Sequence, residues 1–182
     1  MILLFGPPGA GKSVQGQMLA VRMGWKWLST GEMFRASKDP EIIEILKSGQ
    51  LIDDEQTYQV FNAAVAEAKA QQYPQIIVDG FPRTKDQAEW LGKHLKETGD
   101  TIDVVIALEV PESEVVERMT KRGRLEDSPE TIATRMNIYR QKMYPILGNF
   151  AEQGIKIVHL DGTGTAGSVH DKIYDEVVGA IV

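Results

Sequence analysis

The sequence predicts an α/β fold, a parallel β-sheet of about five strands flanked by helices on both faces. Three observations carry this expectation. Short β-rich apolar runs alternate with longer amphipathic stretches along the chain. A glycine-rich stretch, "GPPGAGKS" at 6–13, joins the first apolar run to the first helical spacing. The 182 residues contain no internal repeat, low-complexity tract or linker, so the simplest organisation is one domain, 1–182.

In chain order, "MILLF" reads as a buried strand ending at Phe5, with helical spacing from near Val14. "KWLS" is a shorter strand, and about 30–60 reads as a local excursion from the core. Val60, Phe61, Ala64, Val65 and Ala68 then form a helical stripe. "QIIVD" and "DVVIAL" are buried strands, and a second, minimal excursion follows at about 121–128. A longer stripe runs through Ile132, Met136, Tyr139, Met143, Leu147 and Phe150. "IKIVHL" is the last strand, and Val169, Ile173, Val177 and Ile181 mark the last helix. Stripes at this spacing read as core faces rather than binding surfaces. With the strands parallel, ligands are expected beyond their carboxyl ends.

The net charge of −6 and a pI near 5.1 argue against nucleic acid as the main partner. Without cysteine there is no disulfide, thiol nucleophile or cysteine-ligated zinc. His94, His159 and His170 are scattered and make no metal-ligand pattern. The chain opens straight into a strand, and its longest apolar runs are strand-sized. A soluble, cytoplasmic protein without membrane contact is expected.

Gly6, Gly11, Lys12 and Ser13 fit the phosphate-loop spacing G-x-x-x-x-G-K-[ST]. Glycines let backbone N–H groups turn toward an anion, and a lysine and a helix N-terminus add positive charge. An ordinary Gly/Pro turn uses similar residues, but here the stretch lies between a strand and a helix. The sheet is therefore expected to be of the P-loop NTPase type. Asp79 ends a buried strand, where a carboxylate serves either to orient Mg²⁺ through water or to cap a turn. Gly80 and Pro82 punctuate the turn that follows, and Arg83 emerges from it. In "STGEMFR", Ser29 and Glu32 form a capping box, whose helix N-terminus is equally an anion site, and Arg35 follows.

The strongest electrostatic oddity is "ERMTKRGR", where Arg118, Lys121, Arg122 and Arg124 crowd together in an acidic chain. Arg118 and Arg122, spaced i, i+4, would repel on a helix, and Arg135 lies further on. A solvated basic face partly neutralised by Glu114, Glu117, Glu126 and Asp127 is one explanation. A bound polyphosphate is the other, since arginine forks match phosphate oxygens. Nothing resembles a nucleophilic triad or paired-carboxylate machinery. Phosphoryl transfer needs neither, because positioning and positive charge supply most of its catalysis.

At this point the sequence resembles the adenylate kinase family of nucleoside monophosphate kinases. The resemblance runs in order through "GPPGAGKS", "LSTGEMFRA", "GQLID", "DGFPRTKDQ", "ERMTKRGR", "SPETIATRMNIY" and "DGTG". It implies reversible Mg²⁺-dependent transfer of the terminal phosphate of ATP to AMP, giving two ADP, by a monomer without zinc. By that resemblance Gly9, Ala10, Gly11, Lys12, Ser13 and Val14 would cradle the ATP phosphates. Arg118 would flank the ATP adenine, Arg122 would reach its phosphates, and Gly164 would offer backbone to the base. Thr30, Arg35, Gln50, Leu51 and Ile52 would hold AMP, as would Gly80, Phe81, Pro82 and Arg83. Gln87 would meet the AMP adenine edge, and Arg124 and Arg135 would bridge both nucleotides. Catalysis would rest on Lys12, Arg83, Arg122, Arg124 and Arg135. Ser13 and Asp79 would serve Mg²⁺, Asp79 through water, and Asp127 would order either the metal's waters or the mobile segment.

Three departures stand out. The family's Gly-Lys-Gly-Thr is here "GKSV", which moves the hydroxyl to Ser13. The excursion "RASKDPEIIEILKSGQLID" is shorter than usual, and a single glycine separates Arg122 from Arg124 where a longer lid is usual. Two rivals remain: a UMP/CMP kinase, disfavoured by Gln87 and Thr84, and a nucleotide-binding regulator without catalysis, for which only the reduced lid speaks.

Overall fold

The computed structural model describes residues 1–181; Val182, the last residue of the expected single unit, lies outside them. The strands are β1 (Ile2–Phe5), β2 (Lys26–Ser29), β3 (Ile76–Asp79), β4 (Val104–Glu109) and β5 (Ile157–Asp161). They form one sheet in the order β2-β3-β1-β4-β5, with every pair parallel. From β1 the chain fills one side of the sheet, the edge strand β2 before β3, and then the other, so the crevice at the carboxyl end of β1 is the switch point. Register aligns Ser29 and Leu4 with Asp79, which brings the ends of β2, β1 and β3 to one edge.

Alternation along each strand sorts side chains to two faces. Leu3, Phe5, Val78 and Val105 meet α4 (Asp54–Ala70), α5 (Lys85–Thr98) and the second half of α7 (Pro129–Glu152) through Phe61, Leu91 and Phe150. Ile2, Leu4, Ile77 and Ile106 meet α1 (Lys12–Met23) and α8 (Ala166–Ile181) through Leu19, Ile173 and Val177. Phe61, Phe81 and Phe150 are fully buried, and truncating any of them to alanine is expected to cost about 3–5 kcal/mol.

Three features between strands position the site. The first excursion consists of α2 (Thr30–Arg35), α3 (Pro40–Ser48) and the start of α4. α3 buries none of its own residues, and Thr131 Oγ1 of α7 donates to the Lys47 carbonyl at 2.9 Å. The second excursion is a loop, 123–128, between Gly123, which ends α6 (Glu112–Arg122), and Ser128, which caps α7 through the Thr131 amide. Val115, Met119, Ile132 and Met136 form a separate apolar cluster that holds α6 against the first turns of α7.

Two sequence expectations need correction. Ile181 is exposed, so the core stripe of α8 ends at Val177. The α7 stripe is not core throughout. Met143 packs against the core, but Tyr139 does not join it and instead borders a cavity of about 120 Å³ at the end of β1, with Phe5, Gly6 and Pro8. Among the described residues no helix is long and apolar enough to cross a membrane.

Candidate active site

The stretch 6–13 leaves β1 at the switch point and ends on the N-terminus of α1. Gly11 caps that helix with φ +96°, a conformation L side chains rarely adopt. A Cβ at Gly9 would lie 2.7 Å from Met119 Cγ, so only glycine lets α6 approach the loop. Lys12 Nζ donates to the Gly6 and Pro7 carbonyls, each at 2.8 Å, and so spans the loop it belongs to. Burial lowers the Lys12 pKa to about 8, with Asp79 opposing the fall and Arg83, Arg135 and Arg122 adding to it. Ser13 Oγ donates to Asp79 Oδ2 at 2.6 Å. Asp79 caps no helix, since Thr84 caps α5, so its carboxylate faces the loop and not a turn.

Around this floor stand basic residues paired with carboxylates, two of which are shared. Arg118 pairs with Glu114, and its guanidinium also donates to the Gly162 carbonyl at 3.1 Å. Lys121 pairs with Glu117 on the exposed side and is the one member of the run that only solvates a face. Arg122 donates to both oxygens of Asp127, at 2.9 and 2.7 Å, and Arg135 reaches the same carboxylate at 3.2 Å. The repulsion expected between Arg118 and Arg122 is thus relieved by two different acids. Arg124 bonds Glu32 at 2.8 Å, and Arg35 bonds Glu32 at 2.7 Å and Glu126 at 3.0 Å. Ser29 accepts from the Glu32 amide and caps α2, but the Glu32 carboxylate serves the arginines, so only half of the capping box forms.

These groups line two adjoining cavities. The larger, about 390 Å³, is bordered by Gly9, Ala10, Gly11, Lys12, Ser13 and Val14. Asp79, Arg118, Arg122, Arg124 and Gly164 also border it. The smaller, about 40 Å³, is bordered by Thr30, Arg35, Gln50, Leu51, Ile52, Gly80 and Gln87. Arg35, Arg83 and Arg135 border both. Phe81 and Pro82 border neither; Phe81 packs 4.7 Å from the Phe61 ring, and both line the cavity beside Tyr139. Two adjoining spaces that share a wall of guanidinium groups suit the handing of a phosphoryl group from one side to the other.

The family profile described as adenylate kinase matches residues 4–155. The chain is 39% identical over 178 residues to an adenylate kinase of Caulobacter vibrioides, covering 92% of each chain. It is 37% identical to the adenylate kinase of Thermus thermophilus over 182 residues, 94% of each chain. For the Corynebacterium glutamicum adenylate kinase the identity is 37% over 169 residues, 90% of this chain and 91% of that one. The chain belongs to the adenylate kinase family.

Such near-complete coverage in both directions means that this adenylate kinase family member is about as long as these relatives. Sequence reasoning passed over two polar residues at the site. Gln15, almost fully buried, donates through Nε2 to the Ala166 carbonyl at 2.9 Å and so ties α1 to the segment after β5. Asp54 accepts from Gln87 Nε2 at 2.7 Å. The tandem "DD" was the available signal for Asp54: Asp53 alone suffices to cap α4, which leaves the second acid free for another task.

Proposed function

We propose that the chain transfers the terminal phosphate of ATP reversibly to AMP, giving two ADP. Membership of the family supports the reaction, and the wall of Arg83 and Arg135 shared by the two cavities carries its assignment to these residues. ATP would lie in the larger cavity, its phosphates on the loop amides and Lys12, its base between Arg118 and Gly164. AMP would lie in the smaller one, with Arg35 and Arg83 on its phosphate and Gln87 on its base. Arg122, Arg124 and Arg135 would gather charge around the group in flight, where fixed donors need no reorganisation. The segment about 30–60 would be the AMP-binding excursion and about 121–128 a minimal lid, its first two residues closing α6.

Mg²⁺ fits this arrangement. Ser13 Oγ and Asp79 Oδ2 supply hydroxyl and carboxylate oxygens at the wall of the larger cavity, a donor set suited to a cation that keeps most of its waters. When bound, it would neutralise charge between the phosphates. Among the described residues no cluster of three or more His, Asp or Glu is placed to hold another metal. A cytoplasmic monomer without nucleic-acid partners completes the reading.

The deciding experiment mixes protein, Mg²⁺ and ATP with AMP, UMP or CMP and measures diphosphate formation. ADP from AMP, and inhibition by two adenosines joined through five phosphates, is the expected result. Rapid transfer to UMP or CMP with none to AMP identifies a pyrimidine acceptor, and nucleotide binding without transfer identifies a regulator. A pH series adds a second check. Lys12 loses its proton above about pH 8 in the free protein, so ATP affinity should fall as pH rises through that value. ATP dissociation constants unchanged between about pH 7 and about pH 9.5 would show that Lys12 does not hold the phosphates.

A further inference from the structure

The Gln87 side chain is almost fully buried at the start of α5, and its amide is held at both ends by unlike partners. Its Oε1 accepts from the Arg83 backbone N–H at 2.6 Å, and its Nε2 donates to the Asp54 carboxylate at 2.7 Å. An N–H can only donate and a carboxylate can only accept, so the amide has a single allowed orientation. A flipped amide would set Nε2 against the Arg83 N–H and Oε1 against Asp54. Two part-buried hydrogen bonds would become two repulsions.

This lock has a chemical consequence. After both partners are served, Gln87 keeps one N–H and one lone pair, and it borders the smaller cavity. A 6-aminopurine offers the matching pattern, an acceptor at N1 and a donor at N6. A 6-oxopurine offers the reverse, a donor at N1 and an acceptor at O6. An amide free to flip would serve both bases equally well.

We propose that Asp54 is a positioning residue for acceptor-base selection: it fixes the Gln87 amide so that the site takes 6-amino and refuses 6-oxo purine monophosphates. The inference rests on the proposed placement of AMP in the smaller cavity. Asp54 touches no substrate; it acts through Gln87. Asp53 caps α4 through the amides of Glu55 and Gln56, so the helix does not depend on Asp54 for its cap.

The test compares AMP with inosine monophosphate, which differs only at the 6-position edge, as acceptors for wild type, Asp54→Ala and Asp54→Asn. Removing one of the two locks should lower the AMP-to-IMP ratio of kcat/KM by about five-fold or more in Asp54→Ala, the scale of one hydrogen bond. The change should come from a raised KM for AMP, with kcat at saturating AMP and KM for ATP held within about two-fold. Asp54→Asn, whose amide can turn either its oxygen or its NH2 toward Gln87, no longer enforces one orientation and should lower the ratio as Asp54→Ala does, whereas Asp54→Glu keeps an acceptor-only carboxylate and should restore most of it. If Asp54→Ala does not fold, Asp54→Ser makes the same test, because its hydroxyl stops one bond short of Gln87. An unchanged AMP-to-IMP ratio in the folded variant overturns the role of Asp54. So does a ratio kept at the wild-type value in Asp54→Asn, since a partner that can donate as well as accept cannot hold one orientation. Wild-type protein that ignores AMP altogether would instead defeat the underlying reading.

Discussion

Lys12→Met is expected to reduce transfer by at least about 100-fold and, at neutral pH, to leave the protein as stable as the parent or more so. The loss of rate follows from the position of Nζ, on the loop that faces the larger cavity and beside Asp79, Arg83 and Arg135. The gain in stability follows from the same burial. The folded-state pKa of about 8 lies below the ordinary 10.5, so the folded protein disfavours the ammonium form relative to the unfolded chain. That difference corresponds to a cost on the order of 3 kcal/mol, present below about pH 8 and relieved as pH rises toward the unfolded value. Methionine removes the cost while keeping the length of the stem. Against it stand two lost hydrogen bonds, to the Gly6 and Pro7 carbonyls, worth about 1 kcal/mol each. The balance is zero or modestly favourable. Thermal unfolding of both proteins near pH 7 and near pH 9.5 checks it: any advantage of Lys12→Met should shrink at the higher pH, where the parent lysine is neutral. A variant clearly less stable than the parent at pH 7, or one that still transfers phosphate at a similar rate, would contradict the role given to this lysine.

The large features of this molecule were legible because they are local. Each strand shows as a short apolar run, and "GPPGAGKS" sits between β1 and α1 as its spacing demands. "KWLS", the least conspicuous run, forms β2 at Lys26–Ser29 because it pairs with the wholly buried β3. The arginines were legible as a cluster, since charge density is visible in one dimension. Their partners were not. Arg35 meets Glu126 and Arg124 meets Glu32 across about half the chain, so Glu126 neutralises not the nearby basic run but a helix far away in sequence. A spacing rule has no access to such pairs. The same holds for Tyr139, whose helical period fits the core while it borders a cavity shared with the phosphate-loop residues Gly6 and Pro8. Ile181 fails differently, for a stripe carries no mark of where the sheet beneath it stops.

Those long-range pairs lead to the second large effect, at Asp127. Its side chain is 1% exposed, and it accepts from Arg122, Arg135 and the Arg124 amide. One carboxylate therefore fixes three of the arginines assigned to the reaction. Burial alone would raise its pKa, yet hydrogen bonds from Arg122 and the Arg124 amide outweigh it and hold the carboxyl below its ordinary range. Because the folded pKa is depressed, the stabilisation is present above the unfolded value of 3.8 and lost as pH falls through the lower folded one. Asp127→Ala leaves Arg122 and Arg135 without their counter-charge. Breaking a buried pair costs about 3–5 kcal/mol; both guanidinium groups keep some contact with water, which places this case near the lower end. Transfer should fall by about 100-fold, because donors that are no longer pre-placed must reorganise during the step. Nucleotide binding should change far less, since removing an acid leaves the cavity more positive and phosphates can draw the freed arginines to themselves. The expected signature is a low kcat with a nearly unchanged KM for both substrates, and a larger thermal shift on adding the five-phosphate bisubstrate analogue than the parent shows. A variant that loses affinity and rate in parallel would make Asp127 a part of the binding surface instead of the frame that holds the arginines.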